Sequence, residues 1–159
     1  TDYSLRSGAD KVIAVDVGTD QLHLTLKGNY KIELYEQTNI LDVIIKGQKP
    51  RLPNTKFQTL NTTPDIILID VSFVSLREIL PHIATLCSKK TLVAAMLKPQ
   101  FEAGIDSKHK GVIKNDAMRR EIMKDFETWV KKYFVITQKA DSEVAGTKGN
   151  RERFYLLHI

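Results

Sequence analysis

The chain has a single cysteine, no apolar run of the roughly 18 residues that a membrane-spanning helix needs, and no glycine-rich loop. Cys87 alone cannot close an internal disulfide, which fits a reducing, cytoplasmic compartment. Its neighbours Ile83 and Leu86 predict a small buried hydrophobe rather than a reactive thiol. The opening residues Thr1, Asp2, Tyr3, Ser4, Leu5 and Arg6 hold no apolar core of the signal-peptide kind, and no membrane partner is predicted. His23, His82 and His158 fall in no metal-ligand spacing, so no metal is predicted either. Repeats, low-complexity tracts and interdomain linkers are likewise missing.

What remains is ordinary for a globular protein, 42% hydrophobic and 27% charged. The 159 residues fit one domain, 1–159, whose folding should bury about 70% of the unfolded surface. A net charge of +5 and a pI near 9.3 suit a polyanionic partner. Apolar runs of strand length alternate with amphipathic stretches, the pattern of a mostly parallel α/β sheet covered by helices. A short helical stretch ends near Ser7 and Gly8, and 12–17 reads as the first strand. Residues 20–27 read as a helix closed by Gly28 and Asn29, and 32–35 as a weaker strand. Prolines 50, 53 and 64, with Lys46, Lys49, Arg51 and Lys56, predict a surface loop or irregular insertion between 42 and 63.

Residues 66–69 are apolar at every position, which predicts a strand buried on both faces. A helix over 75–88 follows, with Ser75 as N-cap, Glu78 as its capping-box partner and Pro81 inside it. Residues 91–97 form the next buried strand. Asn115 caps a long helix over 115–133, with Ile122, Phe126, Trp129 and Val130 as its apolar stripe. Two final strands cover 135–139 and 154–159.

In an open parallel sheet, ligands bind beyond the carboxyl ends of the strands. Asp70 directly follows one such strand and Lys98 the next, so a right-handed crossover makes them neighbours on one rim. The polar, turn-rich segment 140–150 permits a hairpin, which makes the last strand antiparallel and puts its beginning, with Glu152, on that same rim. A lysine ending a buried strand is costly unless it is paired or working.

Three segments carry a resemblance: Asp65 through Ile69-Asp70-Val71-Ser72-Phe73, then Met96-Leu97-Lys98-Pro99-Gln100-Phe101-Glu102-Ala103-Gly104, then Gly149-Asn150-Arg151-Glu152-Arg153-Phe154. They resemble the TlyA-type proteins, labelled haemolysins but similar to ribosomal RNA 2′-O-ribose methyltransferases of the FtsJ-like, Rossmann kind. The resemblance implies S-adenosylmethionine as cofactor and a Lys-Asp-Lys-Glu tetrad, of which Asp70, Lys98 and Glu152 match three members. It implies cofactor contacts from Asp16, through ribose hydroxyls, from Asn39 near the adenine, and from Asp70. The first lysine, the first strand, the glycine-rich cofactor loop and an N-terminal RNA-binding domain are all expected upstream of Thr1. Without that strand, a gap is expected between 12–17 and 66–69, and without that loop the chain alone should bind the cofactor poorly.

The partner so implied is ribosomal RNA or a ribosomal subunit, and a homo-oligomer is compatible with the sequence. Lys108, Lys110 and Lys114 form a basic run suited to RNA phosphates. Phe101, between Gln100 and Glu102 in a loop, is the candidate for stacking on a base, whereas Phe73 and Tyr155 are expected in the core. Asp70 and Glu152 favour the ammonium form of Lys98, and a neighbouring sulfonium the free amine. The alternative to catalysis is a non-catalytic RNA-binding or interaction module on the same sheet.

Overall fold

Strand-forming runs in the first third of the chain are short, and the sheets they make are small. The computed structural model describes residues 1–50, 56–103, 112–113, 115–144 and 149–159, which fall into two units, Thr1–Thr62 and Thr63–Ile159. The basic run at Lys108, Lys110 and Lys114 lies outside the described residues.

In the first unit, helix α1 (Asp2–Arg6) ends at Gly8, whose φ of 96° is one that glycine adopts freely. Strands β1 (Val12–Val15) and β2 (Ile32–Tyr35) pair in parallel, Val12 with Ile32 through Val15 with Tyr35. The helix expected over 20–27 does not form. Asp20 sits at φ 56°, outside the right-handed helical region, and the His23 ring accepts from the Thr25 amide instead of leaving it to a helix. Only a 3₁₀ turn, Leu24–Leu26, remains, and Lys27 closes the loop by an ion pair to Asp20 at 2.6 Å. A second 3₁₀ turn, Ile40–Asp42, leads into β3 (Val43–Ile45), which pairs in parallel with β4 (Gln58–Leu60). The loop expected over 42–63 therefore contains a small sheet. Val43, Ile44 and Leu60 are buried in it, and the β-branched run outweighs the surrounding lysines and prolines.

The second unit carries one four-stranded sheet in the order β5-β6-β8-β7: β5 (Ile66–Ile69), β6 (Leu92–Leu97), β7 (Val135–Asp141) and β8 (Arg153–His158). β5 and β6 are parallel, while β8 runs antiparallel to both β6 and β7, as the hairpin argument requires. Helix α2 (Leu76–Leu86) starts at a complete Ser75–Glu78 capping box and buries Leu76, Ile79, Leu80, Ile83 and Leu86. Pro81 inside it removes one backbone bond, worth about 3 kcal/mol. Five buried aliphatic side chains at about 1.5–3 kcal/mol each exceed that loss. A four-residue helix α3 (Pro99–Glu102) follows Lys98. Helix α4 (Asp116–Val130) is capped by Asn115, whose Oδ1 accepts from the amides of Ala117 and Met118. Its buried stripe is Arg119, Met123, Phe126 and Val130, whereas Ile122 and Trp129 are only half-buried.

Alternation along the strands sorts the sheet into two faces. Val93, Ala95, Leu97, Tyr155 and Leu157 are buried on one, where the Phe126 ring lies 5.2 Å from that of Tyr155. On the other face Ile66 and Leu68 are 59% and 62% exposed. The expectation that β5 is buried on both sides is thus corrected, because β5 is an edge strand of this sheet and α4 packs on the opposite face. β1 and β5 belong to different sheets.

Candidate active site

Strand alternation also aims the candidate residues. Asp70 continues β5 in phase with Ile66 and Leu68, and Lys98 continues β6 in phase with Ala94 and Met96, so both project from the open face. The last antiparallel pair is Leu97 with Arg153, and continuing that register by one residue sets Glu152 opposite Lys98. Directly opposed residues present side chains on the same face. One rim therefore receives all three.

Lys98 Nζ lies 2.8 Å from Asp70 Oδ1 and donates to Ser72 Oγ, also at 2.8 Å. The lysine side chain is only 12% exposed and the aspartate 70%, so an enclosed cation is tethered to a carboxylate that faces water. Ion pairs this open contribute about 1 kcal/mol or less, too little to explain enclosing a lysine. The structure brings Asp70 and Lys98 into contact. Glu152 it brings to the same rim, but its carboxylate makes no ion pair or hydrogen bond among the described residues.

Ser72, quoted above only as part of a segment, has a definite partner: its Oγ accepts from Lys98 Nζ. The available signal is its place two residues beyond Asp70, in the bend that follows β5. Phe73 is the larger correction. Expected in the core, it is 91% exposed and holds φ 65°, a conformation uncommon for a bulky residue. Its ring lies 5.3 Å from that of Phe101, the predicted stacking residue, which sits in α3 directly after Lys98 and Pro99. Tyr155, by contrast, is in the core as expected.

Glu102 was passed over as part of a motif, yet it anchors the loop. Its carboxylate, 1% exposed, accepts from Ser75 Oγ at 2.6 Å and from the Leu76 amide at 2.7 Å, with Arg77 Nε 3.5 Å away. That ties α3 to the first turn of α2. Burial pushes the Glu102 carboxyl up from its ordinary value, against the pull of Ser75, Leu76 and Arg77. Cys87 is half-buried rather than buried as expected; Sγ donates to the Ile83 carbonyl, and burial raises the thiol to about 11.

In the first unit, Asp16 follows β1 and is exposed; Oδ1 accepts from the Gly18 amide at 2.7 Å. Asn39 caps the 3₁₀ turn through the Leu41 amide, which occupies its carbonyl oxygen and leaves its amide group outward. Backbone bonds from Thr38 to Asp16 and from Gln37 to Gly18 staple the two loops together at the carboxyl ends of β1 and β2. An exposed carboxylate suits paired sugar hydroxyls and a primary amide suits a heterocycle edge, so this donor and acceptor set fits a nucleoside. A cavity of about 430 Å³ in this unit is lined by Leu22, Leu26, Ile32 and Glu36, and neither Asp16 nor Asn39 belongs to its wall. Among the described residues no group of His, Cys, Asp and Glu could hold a metal, and no helix is long and apolar enough to cross a membrane.

The second unit is thus a partly parallel α/β sheet that ends in antiparallel strands, with Asp70 and Lys98 in contact on one rim. The profile of the FtsJ-like methyltransferases matches residues 1–158, and the chain belongs to that family. It is 36% identical over 154 residues to the 23S rRNA (cytidine-2′-O)-methyltransferase TlyA of Campylobacter jejuni, covering 95% of this chain and 54% of that protein. It is 31% identical over 161 residues to Hemolysin A of Brachyspira hyodysenteriae, covering 100% of this chain and 62% of that one. A solved hemolysin-titled structure from Lactococcus lactis superposes with a TM-score of 0.84 at 29% identity, over 99% of this chain and 71% of its own. The TlyA-type resemblance read from the three segments agrees with these relatives. The chain spans about half the length of the first curated relative.

Proposed function

We propose that this chain forms the catalytic part of an S-adenosylmethionine-dependent 2′-O-ribose methyltransferase of ribosomal RNA. The observation that carries the reading is the enclosed Lys98 amine, held at 2.8 Å by both Asp70 and Ser72 on a rim that Glu152 also reaches. Methylating a ribose hydroxyl demands positioning and removal of a proton that water does not take readily. Once its own proton has gone to solvent, the Lys98 amine steers and accepts that proton and is left as the ammonium ion beside Asp70. Asp70, Ser72 and Glu152 fix where its nitrogen points. The exposed Asp16 carboxylate would hold the ribose hydroxyls of the cofactor and the Asn39 amide its adenine; when bound, S-adenosylmethionine supplies the methyl group as a sulfonium electrophile.

For the RNA, the exposed Phe73 ring, packed against the half-buried Phe101, offers a platform on which a base can stack beside Lys98. The net charge of +5 favours the phosphate backbone, with Lys108, Lys110 and Lys114 as its proposed contacts. A cytoplasmic location follows from such a substrate.

The test is transfer of labelled methyl from S-adenosylmethionine to ribosomal RNA or subunits by the protein at its full natural length. Nuclease digestion then locates the label. A 2′-O-methyl nucleoside supports the reading. Label on a base, or RNA binding with no transfer, sinks it, and the second outcome favours the non-catalytic module.

A further inference from the structure

We infer that Arg119 and Asp141 are positioning residues that clamp the backbone on either side of Glu152 and so set its carboxylate opposite Lys98. The inference rests on the reading of Glu152 as part of the methyl-transfer site.

Glu152 lies just before a strand, after a long connection, where a chain ordinarily frays. Here the backbone around it is fixed residue by residue. Asn150, 3% exposed, accepts the Ile113 amide at 2.9 Å. Arg119 donates from Nε to the Arg151 carbonyl at 2.9 Å and from Nη2 to Asp141 Oδ1 at 2.8 Å. The Glu152 carbonyl accepts the Ser142 amide at 2.9 Å, and Arg153 Nε donates to the same Asp141 oxygen at 2.6 Å. Asp141 ends β7 and Arg119 stands on α4, so a strand and a helix are bridged at the one place where Glu152 leaves the sheet.

The bland reading is a stability device, and energetics argue against it. A charge pair on a buried arginine, here 9% exposed against 34% for Asp141, contributes little net stability compared with well-packed apolar residues. Arg119 occupies the stripe of Met123, Phe126 and Val130, where an aliphatic residue would pack well. What an aliphatic residue cannot do is hold a carbonyl and a carboxylate together across two elements. Among the described residues the Glu152 carboxylate is left unpartnered while its backbone is held, an arrangement suited to meeting a ligand.

Arg119→Lys keeps the charge but cannot span both acceptors. Asp141→Asn is isosteric and carries the test if Arg119→Lys does not fold. The first arm needs no turnover: hydrogen exchange at the Ser142 amide should rise about tenfold or more, while the Phe126 amide inside α4 keeps its protection. Unchanged Ser142 exchange in both variants overturns the inference. The second arm is single-turnover methylation at saturating RNA and cofactor, where a misplaced group slows the reaction about a hundredfold without weakening either Kd. On a Glu152→Gln background Arg119→Lys should slow it no further. An equal further loss there means that Arg119 does not act through Glu152, which also overturns the inference. If Glu152→Gln itself turns over at the wild-type rate while Ser142 exchange does rise, the role given to Glu152 in the proposed function is what fails, and the catalytic purpose of the clamp fails with it.

Discussion

Replacing Glu102 tests how the loop that carries Lys98 and Phe101 is held. Its carboxylate serves Ser75 Oγ at 2.6 Å and the Leu76 amide at 2.7 Å with almost no access to water. Hydrogen bonds to a charged group are worth about 1.5–3 kcal/mol each, against about 1 for neutral ones. Glu102→Ala strands both donors and should lower unfolding free energy by about 3–4 kcal/mol. Glu102→Gln keeps an acceptor and should lower it by about 1–2 kcal/mol. The pH dependence is sharper. Burial raises the Glu102 carboxyl above its ordinary 4.5, so the folded state binds that proton more tightly than the unfolded chain. Its contribution is then fully present below the ordinary value and declines as pH rises through the raised one. Urea unfolding near pH 4 and near pH 7 should therefore show a larger penalty for Glu102→Gln at the lower pH. A penalty that grows with pH would mean that Ser75, Leu76 and Arg77 outweigh burial, and the energetic account of this anchor would be wrong.

Phe73→Gly relieves a left-handed φ at a bulky exposed residue, so thermal unfolding should show a gain of about 1 kcal/mol, while RNA affinity falls about tenfold. A loss of stability, or unchanged affinity, would remove Phe73 from the proposed stacking platform. Asp141 is held well below the usual carboxylate range by hydrogen bonds from Arg153 and then Arg119. Its stabilising contribution is complete above 3.8 and fades as pH falls below it. Asp141→Asn should thus lower stability at neutral pH, with a gap from wild type that narrows on acidification; a constant gap would contradict the linkage.

Local rules were legible where the residue type and its position agree. Ser75 with Glu78, Asn115 before α4, and Pro99 after β6 each signal an element boundary on their own. Lys98 was legible because a lysine at the end of an apolar strand needs a reason, and Glu152 because the hairpin fixes which end of β8 meets the rim. Residues 66–69 misled because apolar composition cannot say whether a neighbour covers each face. Phe73 misled in the same way, since an aromatic after a strand is read as core until its backbone conformation is known. Arg119 was missed because charge hides its place in the buried stripe of α4. The β3–β4 sheet was missed because its strands have three residues each, below what alternation can signal.

The central claim is that Lys98 acts on the proton of the ribose hydroxyl rather than on the cofactor. Single-turnover methylation by Lys98→Arg, at saturating RNA and cofactor, tests it most directly. Arginine keeps the positive charge beside Asp70 but cannot give up its proton at working pH. The account predicts a rate lower by a factor of about a hundred or more, with S-adenosylmethionine affinity within a few-fold of wild type. Turnover by Lys98→Arg at near the wild-type rate would make Lys98 an electrostatic clamp and contradict the proton-transfer role.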